Sequence, residues 1–212
     1  MGLHVQWQQG INLAFPTPIL GRKIADTEET NVRLREIVLE RADGDAGVQQ
    51  SNVGGWHSAA DFFSWPFPET QQVLQWISDA AGTLTAASTG SPQPPPMTVR
   101  AAGWANVSRS GDYNLPHTHP DSMWSGVYYV DPGTSPEGDP TSGLIEFLDP
   151  RTGADSISVP GNPFGDKFSV RPEAGLLLMF PSWLYHYVHV YKGEDVRISI
   201  SFNVLLEANP TP

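Results

Sequence analysis

The sequence contains no cysteine, few basic residues and no long apolar run. Without cysteine the chain has neither disulfides nor thiolate metal ligands, so a metal site must use nitrogen and oxygen donors. Only 12 Lys and Arg stand against 23 Asp and Glu, and the net charge of −11 repels nucleic-acid phosphates and anionic membrane surfaces. No segment reaches the roughly 18 apolar residues of a membrane-spanning helix. We therefore expect no nucleic-acid partner and no membrane partner.

Glycine and proline, in contrast, are plentiful. Each occurs 20 times in the 212 residues, which suits many turns between short strands better than a bundle of long helices. The length suits one domain with a sizeable core. Residues 1–10 lack the basic start and apolar centre of a signal peptide, so we expect a cytoplasmic protein.

Helical periodicity is found in the first part of the chain. Apolar residues recur at helical spacing between residues 34 and 38, which predicts a helix that ends near Arg41. A second stripe predicts a helix from about Glu69 to Thr85. Each helix needs a surface on which its apolar stripe can pack. The stiff proline-rich segment 92–96 that follows them is interpreted as a connection within one domain.

From Met97 onward the apolar period changes to two. In the clearest predicted strand, Val196 to Val204, Ile198 and its alternate neighbours share one face, and Arg197 and its polar neighbours share the other. The other predicted strands are Val99 to Val107, Ser125 to Val130, Leu144 to Leu148 and Leu176 to Phe180. Six to eight such strands predict a β-sandwich or jelly roll.

We therefore predict a single domain over residues 1–212, mainly β with flanking helices. Residues 1–96 would supply N-terminal loops and supporting helices, and residues 97–212 the β core. Two long Gly- and Pro-rich connections, 131–143 and 149–168, are either surface loops or lids over a site.

Three of the six histidines have the spacing of metal ligands. His117 and His119 are two residues apart, so on a strand they project from the same face with Cα atoms roughly 6 to 7 Å apart. His186 follows a late apolar strand that a sandwich brings beside an early one. Imidazole ligands suit iron, zinc, copper or nickel. The alternative for His186 is a place in an aromatic cluster with its neighbours Trp183, Tyr185 and Tyr187.

Asp121 offers a second way to complete the set. His119, Asp121 and His186 would form a site of two histidines and one carboxylate, whereas strand geometry slightly favours His117, His119 and His186. Pro120 and Ser122 place Asp121 near a turn. Both ligand sets remain open at this stage.

Taken in order, these motifs resemble the 2-oxoglutarate/Fe(II)-dependent dioxygenase superfamily. The similarity is strongest to its prolyl-hydroxylase-like branch and to a bacterial and phage family of 2OG-Fe(II) oxygenases. It rests on ordered motifs that span most of the chain: Phe15 to Pro18, Ser51 to Ser58, the His-x-His-x-Asp segment, Ser125 to Val130, Gly143 to Phe147, Pro172 to Phe180, His186, and Arg197-x-Ser199.

The resemblance implies a double-stranded β-helix, the cupin-like jelly roll, that binds Fe(II) and the co-substrates 2-oxoglutarate and O2. It implies that His186 is the last metal ligand, and that Arg197 holds the distal carboxylate of 2-oxoglutarate with Ser199 and Tyr129 in support. The function implied is a hydroxylase that couples substrate oxidation to decarboxylation of 2-oxoglutarate. No catalytic residue is expected beyond the metal site, the primary substrate is left open, and a homodimer is allowed.

Two other functions compete with this interpretation. Gly111 followed by His117-x-His119 matches the start of a cupin motif and suggests a metalloenzyme that does not use 2-oxoglutarate, although Met123 and Trp124 occupy the place of the expected Glu. A jelly roll that binds ligands without catalysis is the other alternative. Among the tryptophans, Trp104, Trp124 and Trp183 are candidates to shape a pocket, but core packing is the commoner role of Trp.

Overall fold

Two antiparallel β-sheets pack face to face in the part of the chain that the structure, a computed structural model, describes: residues 15–94, 96–156 and 167–208. The elements are β1 (Leu20–Lys23), α1 (Glu28–Gly44), β2 (Asn52–Val53), β3 (Trp56–His57), a 3₁₀ turn (Phe62–Ser64), α2 (Pro68–Thr89), β4 (Met97–Ser108), β5 (Tyr113–His117), β6 (Trp124–Asp131), β7 (Ile145–Leu148), a second 3₁₀ turn (Ala154–Ser156), β8 (Lys167–Val170), β9 (Leu176–Pro181), β10 (His186–Val188) and β11 (Arg197–Ala208).

From β4 to β7, and again from β8 to β11, successive strands lie in alternate sheets. The larger sheet has the order β1-β9-β6-β11-β4-β3, and the smaller one has the order β2-β5-β10-β7-β8. Strand β10, for example, lies in the smaller sheet, whereas β9 before it and β11 after it lie in the larger one. Strands far apart in the sequence therefore become neighbours, as β6 and β11 do. This is the jelly-roll topology of a double-stranded β-helix, which confirms the predicted fold class.

Strand β11 lies near the middle of the larger sheet and separates two environments. It pairs with β4 along its full length and with β6 along its first half. Its apolar residues, among them Ile198, Ile200 and Phe202, belong to the core under the helices. Its polar residues, among them Arg197 and Ser199, face the smaller sheet and line a cavity. The predicted alternation of β11 is confirmed.

The two helices cover the outer face of the larger sheet, where α1 contacts β4 and β6 and α2 contacts β4 and β9. Both were predicted, and each ends a few residues beyond its predicted end, α1 at Gly44 instead of near Arg41 and α2 at Thr89 instead of near Thr85. Helix α2 begins at Pro68, a residue suited to the first helical turn because it lacks an N–H that would need a partner there. It ends before Gly90, whose φ of 67° is the left-handed conformation that a helix C-cap requires and glycine adopts freely.

More strands form than the sequence pattern predicted. The structure has eleven strands within its described residues, against six to eight expected. Among the strands that were not named from the sequence, β1 has four residues, and β2 and β3 have two each, too few to show a period of two. They pair with β9, β5 and β4 respectively, so the N-terminal segment contributes strands to both sheets.

The connection 131–143 is fastened to the segment that precedes β11. The backbone N–H of Thr134 donates to the hydroxyl of Tyr191 at 3.0 Å, and the ammonium of Lys192 pairs with Asp139 at 2.8 Å. Tyr191 is itself buried. These bonds hold the connection against the body of the protein.

Half of the other long connection, 149–168, lies outside the described residues, and its possible role as a lid remains a prediction. Within the parts of the chain that are described, no helix combines the length and apolarity needed to cross a bilayer.

Candidate metal and co-substrate site

A cavity of about 610 Å³ lies between the two sheets. Its floor is the inner face of the larger sheet, from β6 through β11 and β4 to β3, and its roof includes β5, β7 and β10. Every residue predicted from the sequence to bind the metal or 2-oxoglutarate, except Asp121, lines this cavity: His117, His119, His186, Arg197, Ser199 and Tyr129.

The three histidines converge on one point of the roof. His117 is the last residue of β5 and His186 the first of β10, and the two are cross-strand partners in the smaller sheet. His119 follows two residues after β5, and its Nε2 lies 3.4 Å from Nε2 of His186. One nitrogen from each ring lies within 4.8 Å of the other two, close enough to share a metal ion.

Backbone carbonyls fix the orientation of two of these rings. Nδ1 of His117 lies 2.7 Å from the carbonyl of Leu115, and Nδ1 of His186 lies 2.8 Å from the carbonyl of Leu184. Since a carbonyl can only accept, each Nδ1 carries the proton and each Nε2 keeps a lone pair. This is the arrangement in which a histidine binds a metal while its other nitrogen holds the ring in place.

The three imidazoles are neutral at physiological pH. Burial lowers the pKa of His117, and burial together with the neighbouring His117 lowers the pKa of His119 to about 4. In the same way burial, followed by repulsion from His117, lowers the pKa of His186 to about 3. A metal ligand must be deprotonated, so the cluster is in the form that binds a cation.

Asp121 does not join this group. Its side chain is exposed, its φ of 62° places it in a left-handed turn beyond β5, and its carboxylate is not part of the cluster of ligand atoms. Strand geometry favoured the three histidines for the same reason, because the strand ends before residue 121.

Arg197 is a buried cation that faces the cavity. Its residue is 3% exposed, its Nε has no hydrogen-bond partner among the described residues, and its guanidinium carbon lies 5.3 Å from the ring centre of Tyr129. The buried hydroxyl of Tyr129 also lacks a partner there. Ser199, the cross-strand neighbour of Tyr129, completes a buried polar patch with two unsatisfied groups.

Burial also dominates the ionisation of this patch. It raises the pKa of Tyr129 to about 12, although the guanidinium of Arg197 opposes the rise. Burial lowers the pKa of Arg197, and the hydroxyls of Tyr129 and Tyr191 oppose that shift. The tyrosine is thus a neutral donor beside a cation, which suits the binding of a carboxylate.

The three candidate tryptophans have three different environments. Trp104 lines the cavity, with its ring centre 5.8 Å from that of His119. Trp124 is buried under the helices, where its Nε1 donates to Thr85 Oγ1 at 3.0 Å. Trp183 is 54% exposed.

Among the other polar residues that line the cavity, His57 and Asn106 were not singled out from the sequence. The sequence did contain a signal for Asn106, which alternates with apolar residues within the predicted strand Val99 to Val107. His57 had none beyond its place in the similar segment Ser51 to Ser58, because β3 is two residues long.

Residues 102–203, just under half of the chain, match the model of a family described as "Putative 2OG-Fe(II) oxygenase". The matched segment contains the three histidines, Tyr129, Arg197 and Ser199. Together with the jelly-roll fold, this match makes the chain similar to the 2-oxoglutarate/Fe(II)-dependent oxygenases, a class of enzymes that use Fe(II) and 2-oxoglutarate. No curated protein sequence matches the chain.

Solved structures share the fold at low sequence identity. A prolyl-4-hydroxylase from Pseudomonas putida is 14% identical, with a TM-score of 0.62 over 90% of this chain and 92% of that one. The carbocyclase SnoK of nogalamycin biosynthesis is 14% identical, with a TM-score of 0.61 over 91% and 81%. HygX from Streptomyces hygroscopicus, solved with nickel and 2-oxoglutarate bound, is 11% identical, with a TM-score of 0.59 over 92% and 84%.

Proposed function

We propose that this chain is a hydroxylase in which His117, His119 and His186 hold Fe(II) and Arg197 binds the distal carboxylate of 2-oxoglutarate. When bound, iron and 2-oxoglutarate supply the oxidation of a C–H bond by O2, coupled to decarboxylation of the co-substrate. The observation that carries the proposal is a buried, unsatisfied arginine in the same cavity as three neutral, converging histidines.

The histidine cluster suits an ion that must keep open positions. Three nitrogen donors leave coordination positions of an octahedral ion free for ligands other than the protein. The carbonyls of Leu115 and Leu184 hold two of the rings with their lone pairs exposed, so little rearrangement is needed when a metal binds.

The polar patch around Arg197 suits one end of a dicarboxylate. A buried guanidinium whose Nε has no hydrogen-bond partner is costly, and an incoming carboxylate offsets that cost through charge-assisted hydrogen bonds. Tyr129 and Ser199 stand beside it with hydroxyls that can donate to the same group. This distinguishes the proposal from a cupin-type enzyme without 2-oxoglutarate, which gives no reason to bury a cation in the same cavity as the three histidines.

The test is optical and needs no primary substrate. We expect the protein, loaded with Fe(II) without oxygen, to gain a visible absorption band when 2-oxoglutarate is added. Glutarate is the matched control, since it has both carboxylates but no keto group to chelate the metal, and it should give no band. The variant His186→Ala should give none with either compound.

A protein that retains no iron and shows no band would favour the jelly roll that binds ligands without catalysis. Retained iron with an identical response to 2-oxoglutarate and glutarate would favour the cupin-type alternative. The homodimer and the cytoplasmic location have no support from the fold or the family match and stay predictions.

A further inference from the structure

The strand order divides the cavity into two halves. The three histidines lie on β5 and β10 or just after β5, near the middle of the smaller sheet. Arg197 and Tyr129 lie on one side, where β11 and β6 face β10 and β7. On the other side the cavity continues over β4 and β3 of the larger sheet and under β5 of the smaller sheet, next to Gln50 and Ser51, which precede β2. The co-substrate proposed above accounts for the first half alone.

One row of cross-strand partners runs along the floor of both halves. His57 pairs with Asn106, Asn106 with Ser199, and Ser199 with Tyr129. All four line the cavity. Because neighbouring strands lie about 4.8 Å apart, His57 stands roughly 10 Å from Ser199 along the row. The row thus joins the co-substrate end to a second polar end.

His57 presents a hydrogen-bond acceptor at that second end. Its Nδ1 lies 2.6 Å from the carbonyl of Ser58, so Nδ1 carries the proton and Nε2 keeps its lone pair. Nε2 has no partner among the described residues, although the residue is only 7% exposed. The ring is held by Trp104, stacked at 5.5 Å, and the backbone by Val48, whose N–H donates to the His57 carbonyl at 2.8 Å.

Asn106 presents a second acceptor. Its Nδ2 lies 3.4 Å from the backbone carbonyl of Ser199 and 3.0 Å from Oγ of Ser201. A carbonyl accepts only, so this contact fixes which end of the amide carries the N–H groups. The oxygen Oδ1 is left without a donor among the described residues.

The second half carries no formal charge. Among the described residues that line the cavity there is no Asp, Glu or Lys, and the one cation, Arg197, stands at the co-substrate end. Burial lowers the pKa of His57, which keeps this imidazole neutral as well. A charged ligand placed here would lose its hydration without gaining a counter-ion.

We propose that His57 and Asn106 form the primary-substrate subsite, and that it takes an uncharged group presenting hydroxyl or amide N–H donors. The inference rests on the proposed function, because the proposed function assigns the half of the cavity near Arg197 to 2-oxoglutarate. Trp104 bridges the subsite and the metal site, because its ring stacks on His57 and also contacts the ring of His119. Donors bound at His57 and Asn106 therefore hold the substrate beside the metal ligands.

The test uses protein loaded with Zn(II) and 2-oxoglutarate, with histidine and tryptophan labelled with ¹⁵N. Two matched series serve as probes: benzamide, benzoate and benzylamine, then methyl glucoside, glucuronate and glucosamine. We expect an uncharged member to shift the resonances of His57 Nε2 and the Trp104 indole, and to bind at least about tenfold more tightly than its charged counterparts.

Two variants separate the acceptor from the packing. His57→Phe keeps a ring against Trp104 but removes the acceptor. The affinity for the uncharged probe, measured from the Trp104 indole resonance, should therefore fall about tenfold. His57→Gln restores an acceptor and should recover most of that loss. The affinity for 2-oxoglutarate and the melting temperature are measured in parallel for both variants.

Charged probes that bind as tightly as the uncharged ones, uncharged probes that all fail to bind, or equal affinity in His57→Phe and the original chain would each overturn the subsite. Failure of 2-oxoglutarate to bind the zinc-loaded protein would instead overturn the proposed function. Binding of the probes therefore tests the subsite, and binding of 2-oxoglutarate tests the proposed function.

Discussion

The two faces of the larger sheet satisfy their polar groups in different ways. Tyr128 and Tyr129 are adjacent on β6 and both are fully buried. Tyr128 points under the helices and donates its hydroxyl to Oδ1 of Asn31 at 2.7 Å. Tyr129 points into the cavity and its hydroxyl has no partner among the described residues. A buried tyrosine hydroxyl is thus hydrogen-bonded on one face of the sheet and has no hydrogen-bond partner on the other.

This difference separates residues that stabilise the fold from residues that await a ligand. Buried polar groups are nearly always hydrogen-bonded, so an unsatisfied one indicates a missing partner. On the helix-covered face the apolar residues of β11 pack into a dry core. On the inner face the polar residues of the same strand border an open cavity. Mutations on the helix-covered face should therefore lower stability, whereas mutations on the cavity face should weaken ligand binding.

The largest effect is expected for His186→Ala, which removes a proposed metal ligand. Changes to residues that only orient a ligand already cost about 10- to 100-fold in metal affinity, so loss of a ligand should cost at least 100-fold and abolish turnover. Iron retained after gel filtration measures the effect, and circular dichroism checks that the fold persists. Normal iron content in this variant would remove His186 from the metal site.

The next effect is expected for Arg197→Leu. Removing one member of a buried charge pair costs about 2 to 5 kcal/mol in binding, so 2-oxoglutarate should bind more than about 30-fold more weakly while iron occupancy is unchanged. The free protein should be no less stable, because its guanidinium is buried without a partner for Nε. Titration calorimetry and a thermal melt measure the two quantities. A large fall in melting temperature would indicate that Arg197 is structural.

The sharpest comparison uses neighbours on β11 that point to opposite faces. Ile200→Ala leaves a void in the core under the helices and should lower the free energy of unfolding by about 2 to 4 kcal/mol. Ser199→Ala should change stability by less than about 1 kcal/mol, since the Ser199 hydroxyl faces the cavity, but should weaken 2-oxoglutarate binding. Urea titrations and ligand titrations on both variants test the division. Equal effects in the two assays would contradict it.

The strands predicted from the sequence are those with a clear apolar run or a clear alternation of apolar and polar residues. The alternation of β11 and the apolar runs of β6, β7 and β9 are long enough to show burial, and both helices carry apolar stripes. The short strands β2 and β3 form because longer strands provide edges for them, a tertiary effect that no local pattern reports.

The candidate site was partly predictable for the same reason. His117, His119 and Arg197 could be found because residues two apart on a strand share a face, and a resemblance supplied the order of the motifs. Which of His117 and Asp121 approaches His186 depends on where β5 ends, and strand ends are set by pairing with β10 and β2. His57 reaches the cavity through the pairing of β3 with β4, which the sequence does not show.

Glu146 extends the comparison to a buried polar group that is fully paired. It lies on β7, pointing away from the cavity residue Ile145, and its carboxylate receives hydrogen bonds from Tyr187, His189 and Ser169. Burial opposes its ionisation, but the hydrogen bonds from Tyr187, His189 and then Lys167 outweigh burial and lower the pKa of Glu146 to about 2.

We expect Glu146→Gln to lower stability by about 1 to 2 kcal/mol at pH 7 without affecting 2-oxoglutarate binding. The folded pKa is below the roughly 4.3 of an unfolded Glu, so the stabilisation is complete above pH 4.3 and is lost as the pH falls towards 2. The difference between the variant and the original chain should therefore narrow from pH 5 to pH 3 in urea titrations. A constant difference would exclude this carboxylate as its source.

The smallest effect is expected for Asp121→Asn, a change that tests where the metal site ends. The exposed Asp121 has a φ of 62°, a conformation that Asn also tolerates, so the substitution removes the charge with little strain. We expect iron occupancy to stay within about twofold, whereas His117→Ala, assayed beside it, should lose at least 100-fold in affinity because it removes a converging nitrogen. If Asp121→Asn lost iron and His117→Ala retained it, the site would consist of two histidines and a carboxylate, and the turn after β5 would have to refold to bring Asp121 to the metal.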